Sequence, residues 1–191
     1  MSNTPSNPGT PAPPVKRNYD RTSYILVVDD DNTLLKFFKI HLNKFFSRVI
    51  VVKNAKEAID TLREKEIDLV LSDIRMPRMD GLQLMKRVRK HDPSIPMLMI
   101  SGALLTDEQM KAAEDEADGY LRKPFSVDDL HAFIDNGMAL REKYKRLADL
   151  LADKKTIRDL LRGKSKLDKL VTDEANRKEA HKILDELQKA G

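Results

Sequence analysis

Three aspartates, a serine and a lysine stand at the ends of short apolar runs in this 191-residue chain. Asp29 and Asp30 follow the run Tyr24 to Val28, and Asp73 closes the stretch DLVLSD. Ser101 follows Pro96 to Ile100, and Lys123 follows Tyr120-Leu121. Crowded carboxylates repel one another. One lysine offsets a single charge and leaves a cluster of about −2, which a divalent cation would neutralise. Hard oxygen donors with no Cys or His nearby favour Mg²⁺ over zinc. Mg²⁺ held beside a free carboxylate oxygen sets up in-line phosphoryl transfer to that carboxylate. Lys123 and the Ser101 hydroxyl are suited to hold the remaining phosphoryl oxygens.

These groups meet only if the runs are strands of one sheet. From Tyr24 the chain alternates strand and helix. Strands are expected over 24–28, 49–52, 67–71, 96–100 and around 120–121. Helices carry Leu34, Leu35, Phe38 and Leu42, with Phe45 and Phe46 near the end, then Ala55 to Leu62 behind an Asn54 cap, then Leu82 to Val88. A weaker helix runs from about Thr106 to Glu116, and a fifth, capped by Ser126, holds Leu130, Phe133 and Ile134. Pro77 and Asp80-Gly81 mark the loop after Asp73. Five βα units in regular alternation predict a doubly wound five-stranded parallel sheet with helices on both faces. Ligands bind such sheets at the carboxyl ends of the strands. The second strand ends at Lys53-Asn54 and offers nothing comparable.

At this point residues 24–136 resemble a response regulator receiver domain of bacterial two-component signalling. The resemblance rests on VVDD at 27–30, DLVLSDIRMPRMDG at 68–81, MLMISG at 97–102 and GYLRKPF at 119–125. It implies a flavodoxin-like fold and a signalling rather than an enzymatic role. Asp73 would be the phosphoacceptor. Asp30 would bind Mg²⁺ directly together with Asp73 and the backbone carbonyl of Arg75, and Asp29 would act through water. Ser101 would be the switch hydroxyl, Tyr120 the aromatic switch and Lys123 the lysine bound to the phosphoryl group. The Gly102 backbone would also reach the phosphoryl group, and the Lys123-Pro124 bond would be cis. The donor would be a sensor histidine kinase or a phosphotransfer protein. On phosphorylation Ser101 would move inward and Tyr120 would turn, altering the face made by the fourth helix, fifth strand and fifth helix. Ser101 stands where Thr is common and Gly102 where Ala is common. Arg75 and Ala103 occupy positions that tune phosphoryl lifetime.

A rival fold class shares part of the pattern. Asp29-x-Asp31-x-Thr33 also fits a haloacid-dehalogenase-like phosphatase, with Asp29 as nucleophile and Asp31 as acid/base. That reading leaves Asp73 and its loop unexplained. His41, His91 and His131 sit singly on helical stretches and are expected to be partly exposed. His181 lacks the Lys-Gly-Ser context of a phosphotransfer histidine.

The rest is bounded by composition. There is no cysteine, so disulfides and thiolate metal sites are excluded. No apolar run is long enough to span a membrane, the N-terminus is not a signal peptide, and a cytoplasmic protein is expected. Net charge is about +2 over residues 1–23, about −3 over 24–136 and about +5 over 137–191. Residues 1–23, with five prolines, are expected to be disordered. Residues 137–191 are expected to be a helical extension. The fifth helix should run on past Gly137 to about Leu151, carrying an apolar stripe that is interrupted near Gly137. Leu140, Tyr144, Leu147 and Leu151 make a narrow stripe, as in a two-helix seam. Output is therefore expected as association through the fifth helix and tail, with itself as a homodimer or with another protein. Two alternatives remain. In one the tail folds back on its own receiver. In the other its basic charge binds DNA, although aligning Gly163 with a helix-turn-helix glycine puts Asp159, Lys169 and Thr172 at positions wanting small or apolar residues.

Overall fold

The computed structural model describes residues 22–102, 105–151, 156–163, 167, 170–171 and 173–189. The Pro-rich segment up to residue 21, Ala103, Lys169 and Thr172 lie outside them. In order, the elements are β1 (Tyr24–Val28), α1 (Asn32–Leu42), β2 (Arg48–Val52), α2 (Ala55–Glu64), β3 (Leu69–Asp73) and α3 (Gly81–His91). They continue with β4 (Met97–Ser101), α4 (Asp107–Glu116), β5 (Gly119–Arg122), α5 (Val127–Leu150), α6 (Ile157–Leu161) and α7 (Glu174–Gln188).

The five strands are all parallel, in the order β2-β1-β3-β4-β5. Alternate residues of each buried strand serve opposite layers, because successive side chains point to opposite faces. Ile25, Val27, Leu69, Leu71, Leu98 and Ile100 pack with Phe38 and Leu42 of α1 and with Leu130 and Ile134 of α5. Leu26, Val28, Val70, Met97 and Met99 pack with Ala58 and Leu62 of α2 and with Leu84, Met85 and Val88 of α3. This is the expected doubly wound, flavodoxin-like sheet.

Local chemistry sets the helix starts. Asn54 accepts the Glu57 N–H, Asp80 accepts the Gln83 N–H, and Thr106 and Ser126 open capping boxes with Gln109 and Asp129. α1 stops at Leu42, earlier than the apolar pattern suggests. Phe45 and Phe46 lie beyond it, and Phe46 is buried against the sheet layer.

One expectation about α5 needs correction, and one holds. His131 is buried, with its ring edge-on to Phe45 at 4.7 Å, because the α1–β2 loop folds over that helix face. The fifth helix does run on past Gly137, as expected, and is continuous over 24 residues to Leu150. Gly137 lets the helix approach the sheet. A Cβ there would lie 2.4 Å from Leu69 Cδ1 and 2.8 Å from Leu98 Cδ1. Gly137→Ala is expected to destabilise by about 1–3 kcal/mol from overpacking, less about 1 kcal/mol regained in helix propensity. Chemical denaturation gives the value, and an unchanged or higher midpoint would show that the helix can retreat without cost.

The stripe of α5 meets residues of its own chain. Tyr144, Leu147, Ala148 and Leu151 are buried with Ile157, Leu160, Leu167, Val171, Ala180, Ile183 and Leu187. α7 lies along α5, with the outer pairs Lys143–Glu186 and Arg146–Glu179 beside the contact. The seam read as awaiting another chain is thus the core of an intramolecular bundle. Two further apolar patches within reach of the same chain meet no intermolecular search cost, which is why they close it.

Candidate functional site

The order 2-1-3-4-5 reverses between β1 and β3, and this topological switch point leaves a crevice at the carboxyl ends of the strands. Asp29 and Asp30 leave β1 there, Asp73 ends β3, Ser101 ends β4 and Lys123 follows β5. The structure brings Asp29, Asp73 and Lys123 into direct contact. Lys123 Nζ donates to Asp73 Oδ1 at 2.7 Å and to Asp29 Oδ2 at 2.9 Å. The other oxygen of each acid takes a backbone N–H. Arg75 N donates to Asp73 Oδ2 at 2.7 Å, and Asp31 N to Asp29 Oδ1 at 2.9 Å. Asp29, Asp73 and Ser101 are buried, whereas Asp30 is exposed at the rim.

The surrounding loops are shaped for this. The Lys123 N–H donates to the Ser101 carbonyl at 2.9 Å, and the Lys123-Pro124 bond is cis, as expected. Gly102 lies against the Lys123 stem, and a Cβ there would sit 3.2 Å from Lys123 Cβ. Behind Asp73, Gly81 N donates to the Ile74 carbonyl at 2.8 Å. A Cβ on Gly81 would come within 2.2 Å of the Asp73 carbonyl oxygen, so the loop closes only with glycine. Tyr120 is half-buried on β5, among the partly buried side chains on the α2, α3 and α4 side of the sheet. Arg75 is exposed.

Burial holds the Asp73 carboxyl above the ordinary carboxylate range, against the pull of Lys123. Burial also opposes the charge on Lys123, but its bonds to Asp73 and Asp29 outweigh that and keep the ammonium above its usual range. The lysine therefore stays charged between the two acids. Asp31 stands apart from the cluster. Its side chain caps α1, accepting from Thr33 N at 2.7 Å and Leu34 N at 3.4 Å, and those bonds hold it below the usual range. A carboxyl held below its usual range and engaged as a helix cap makes a poor proton donor, so the phosphatase reading loses its acid/base.

Among the described residues no three acidic, His or Cys side chains converge as a ready-made metal cage. Mg²⁺ does not require one, since it takes one or two carboxylates, a carbonyl and waters. The oxygens of Asp73 and Asp30, the Arg75 carbonyl and an open rim fit that pattern. Beside the rim an open concavity of about 460 Å³ is lined by Asp30, Lys53, Asn54, Lys56, Pro77, Arg78 and Met79. A larger one of about 710 Å³ lies at the opposite end of the sheet, near Asp68, Arg141 and Lys145, away from these groups.

A second ionic cluster escaped the sequence reading. At the start of β5 the buried Asp118 carboxylate accepts from Arg89 of α3, Met97 N of β4 (2.7 Å), Tyr144 of α5 (2.7 Å) and Arg158 of α6 (2.7 Å). Nearby, Arg141 and Lys145 reach Asp68 at 3.4 and 2.7 Å. Three basic residues of the tail, Arg141, Lys145 and Arg158, thus meet acids of the sheet domain. No local signal marks Asp118, because its side-chain partners stand 26 to 40 residues away.

A flavodoxin-like doubly wound sheet with an acid–lysine cluster at its switch point defines the class. The family model of the response regulator receiver domain matches residues 25–135, and the chain belongs to that family. It is similar to the transcriptional regulatory protein ZraR of Klebsiella oxytoca, 36% identical over 115 residues, which are 60% of this chain and 26% of that protein. The chain thus spans about a quarter of that relative's length. Among solved structures it is similar to a response regulator receiver domain protein from Clostridium thermocellum, with 28% identity and a TM-score of 0.58, over 63% of this chain and 97% of that one. A CheY-like receiver domain protein from Methanospirillum hungatei matches at 28% identity and a TM-score of 0.60, over 64% and 98%. Membership of this family replaces the phosphatase reading. Among the described residues no helix is long and apolar enough to cross a membrane.

Proposed function

We propose that this chain is a phosphorylation-dependent response regulator that accepts a phosphoryl group on Asp73 from a sensor histidine kinase or phosphotransfer protein. The observation that carries this reading is the Lys123 ammonium held between Asp29 and Asp73 at the switch point, with Asp30 open beside it. Asp73 supplies the attacking oxygen. A P–O bond to it forms as the P–N bond of a phosphohistidine breaks, and the imidazole leaves with a proton. Lys123 and the Ser101 hydroxyl stabilise the equatorial oxygens, with the Gly102 N–H beside them. Asp30, Asp73 and the Arg75 carbonyl would hold Mg²⁺, with Asp29 reaching it through water. When bound, the ion neutralises charge on the transferring group.

Residues 24–136 form the receiver in this reading and residues 137–191 the output segment, with α5 shared between them. Output is protein–protein association through α5 and the tail. Because the inner stripe is filled by α6 and α7, the folded bundle presents itself as a unit rather than as a bare seam. The relatives' names denote transcriptional regulators, but the match spans only about a quarter of their length. A DNA-binding output is tested separately by salt-dependent duplex binding.

Intact-mass measurement with an acyl phosphate donor tests the chemistry. One phosphoryl group is expected with Mg²⁺ and none with a chelator present. Equal labelling in both would remove Mg²⁺ from the account. Light scattering with and without a phosphoryl mimic then reads self-association, and equal monomer masses would leave a different protein as the partner.

A further inference from the structure

The phosphoacceptor cluster lies at one end of β5 and the Asp118 junction at the other. Resting on the reading of Asp73 as phosphoacceptor, we propose that this junction is a latch: phosphorylation at Asp73 loosens the docking of α6 and α7 on the receiver. Asp118 receives Arg158 through both terminal nitrogens, at 2.7 and 3.2 Å, and the Tyr144 hydroxyl at 2.7 Å. Arg158 also donates through Nε to the Pro93 carbonyl at 2.9 Å, and its guanidinium lies 4.6 Å from the centre of the Tyr144 ring. One side chain of α6 thus grips both the β5 start and the loop before β4. Beside it lies an open concavity of about 350 Å³ lined by Glu116, Leu140, Leu161 and Leu187 among others.

β5 is suited to carry a change between its ends. It has four residues, spanning about 13 Å, and among the described residues it is an edge strand paired only with β4. Its ends are pinned to the ends of β4, by Asp118 N to the Met97 carbonyl and by Lys123 N to the Ser101 carbonyl, each at 2.9 Å. Tyr120 stands between them. A phosphoryl group on Asp73 draws Lys123 and Ser101 toward itself and so moves the far end of this strand. Donor geometry around Asp118 tolerates little displacement before its bonds weaken. Coupling of this kind is reciprocal, so loosening the latch favours the phosphorylated state by the same factor.

Hydrogen exchange on the full chain tests it, with beryllofluoride and Mg²⁺ as the phosphoryl mimic. Amides of α6 and α7 are expected to exchange several-fold faster once the mimic binds, while those of β1 and β3 do not. Arg158→Met should speed the same amides without the mimic and bind the mimic several-fold more tightly. Tyr144→Phe, which keeps the ring in the bundle and removes one donor from Asp118, should act in the same direction more weakly. Unchanged or slower α6 and α7 exchange with the mimic bound overturns the latch, as does parent affinity in Arg158→Met. Absence of mimic binding in the parent, read as no protection of the loop after Asp73, overturns the phosphoacceptor reading itself and the coupling with it.

Discussion

An Asp73→Ala chain given an acyl phosphate and Mg²⁺ is expected to keep its unlabelled mass while the parent gains one phosphoryl group. Among the described residues no other carboxylate is placed to replace it. Asp29 is buried behind Lys123, and Asp30 stands exposed at the rim. Labelling of the parent should slow in acid, because burial already holds the Asp73 carboxyl above the ordinary range and the protonated form is not a nucleophile. The same shift acts on stability. A carboxyl whose folded pKa is raised favours the folded chain below its unfolded value of about 3.9 and loses that contribution as pH rises through the folded pKa. Asp73→Asn, which mimics the protonated form, is therefore expected to melt higher than the parent near neutral pH. The two should converge in acid, and Mg²⁺ should raise the parent's midpoint more than the variant's. Thermal melts across pH check this. An Asn variant that melts lower at neutral pH would show that the Lys123 pair outweighs burial.

Asp118→Ala is expected to be the most destabilising single change outside the apolar core. Two guanidiniums, on Arg89 and Arg158, converge on one carboxylate that is 3% exposed. Removing the acid leaves two buried cations facing each other, and deleting one partner of a buried pair costs about 3–5 kcal/mol. At roughly 2–4 °C per kcal/mol for a chain of this size, the midpoint should fall by about 10 °C. Burial by itself would raise the Asp118 pKa, but Arg89 and Arg158 overcome it and hold the carboxyl down to about 2. A depressed carboxyl contributes stability that is present above the unfolded value and lost as pH falls through the folded one. The parent should thus lose about 2 kcal/mol between roughly pH 4 and pH 2, a component missing from Asp118→Asn. Urea titrations at several pH values measure both effects. A loss below about 1 kcal/mol in Asp118→Ala would place the cluster with ordinary surface pairs.

These two acids also show what the linear chain makes legible. Asp73 announces itself because everything that defines it is local: a buried apolar run before it, and then Pro77, Asp80 and the Gly81 that must lie against its carbonyl. Asp118 has no such surroundings. It sits before a short strand, like many turn residues, and its donors come from four other elements.

The tail makes the same point at larger scale. Helical periodicity shows that Leu140, Tyr144, Leu147 and Leu151 share a face, but not what covers it. An apolar stripe is equally satisfied by a second chain or by later residues of its own, and only the path of α6 and α7 decides between them. Gly137 reads as a gap in the apolar stripe when its neighbours in sequence are considered. It is a contact point once Leu69 and Leu98 are seen beneath it.

By itself, then, the sequence determined which residues end strands and which chemistry they could share, since strand and helix periods, caps and turn residues are properties of neighbours a few positions apart. Tertiary structure decided the rest. The strand order set Asp29 and Asp73 on one lysine 94 and 50 residues away, and the return of the tail turned a seam into a core and three basic residues into partners of the receiver's acids. The physical reason is that burial and charge pairing act between whatever surfaces the folded chain brings together, and separation along the sequence does not encode that.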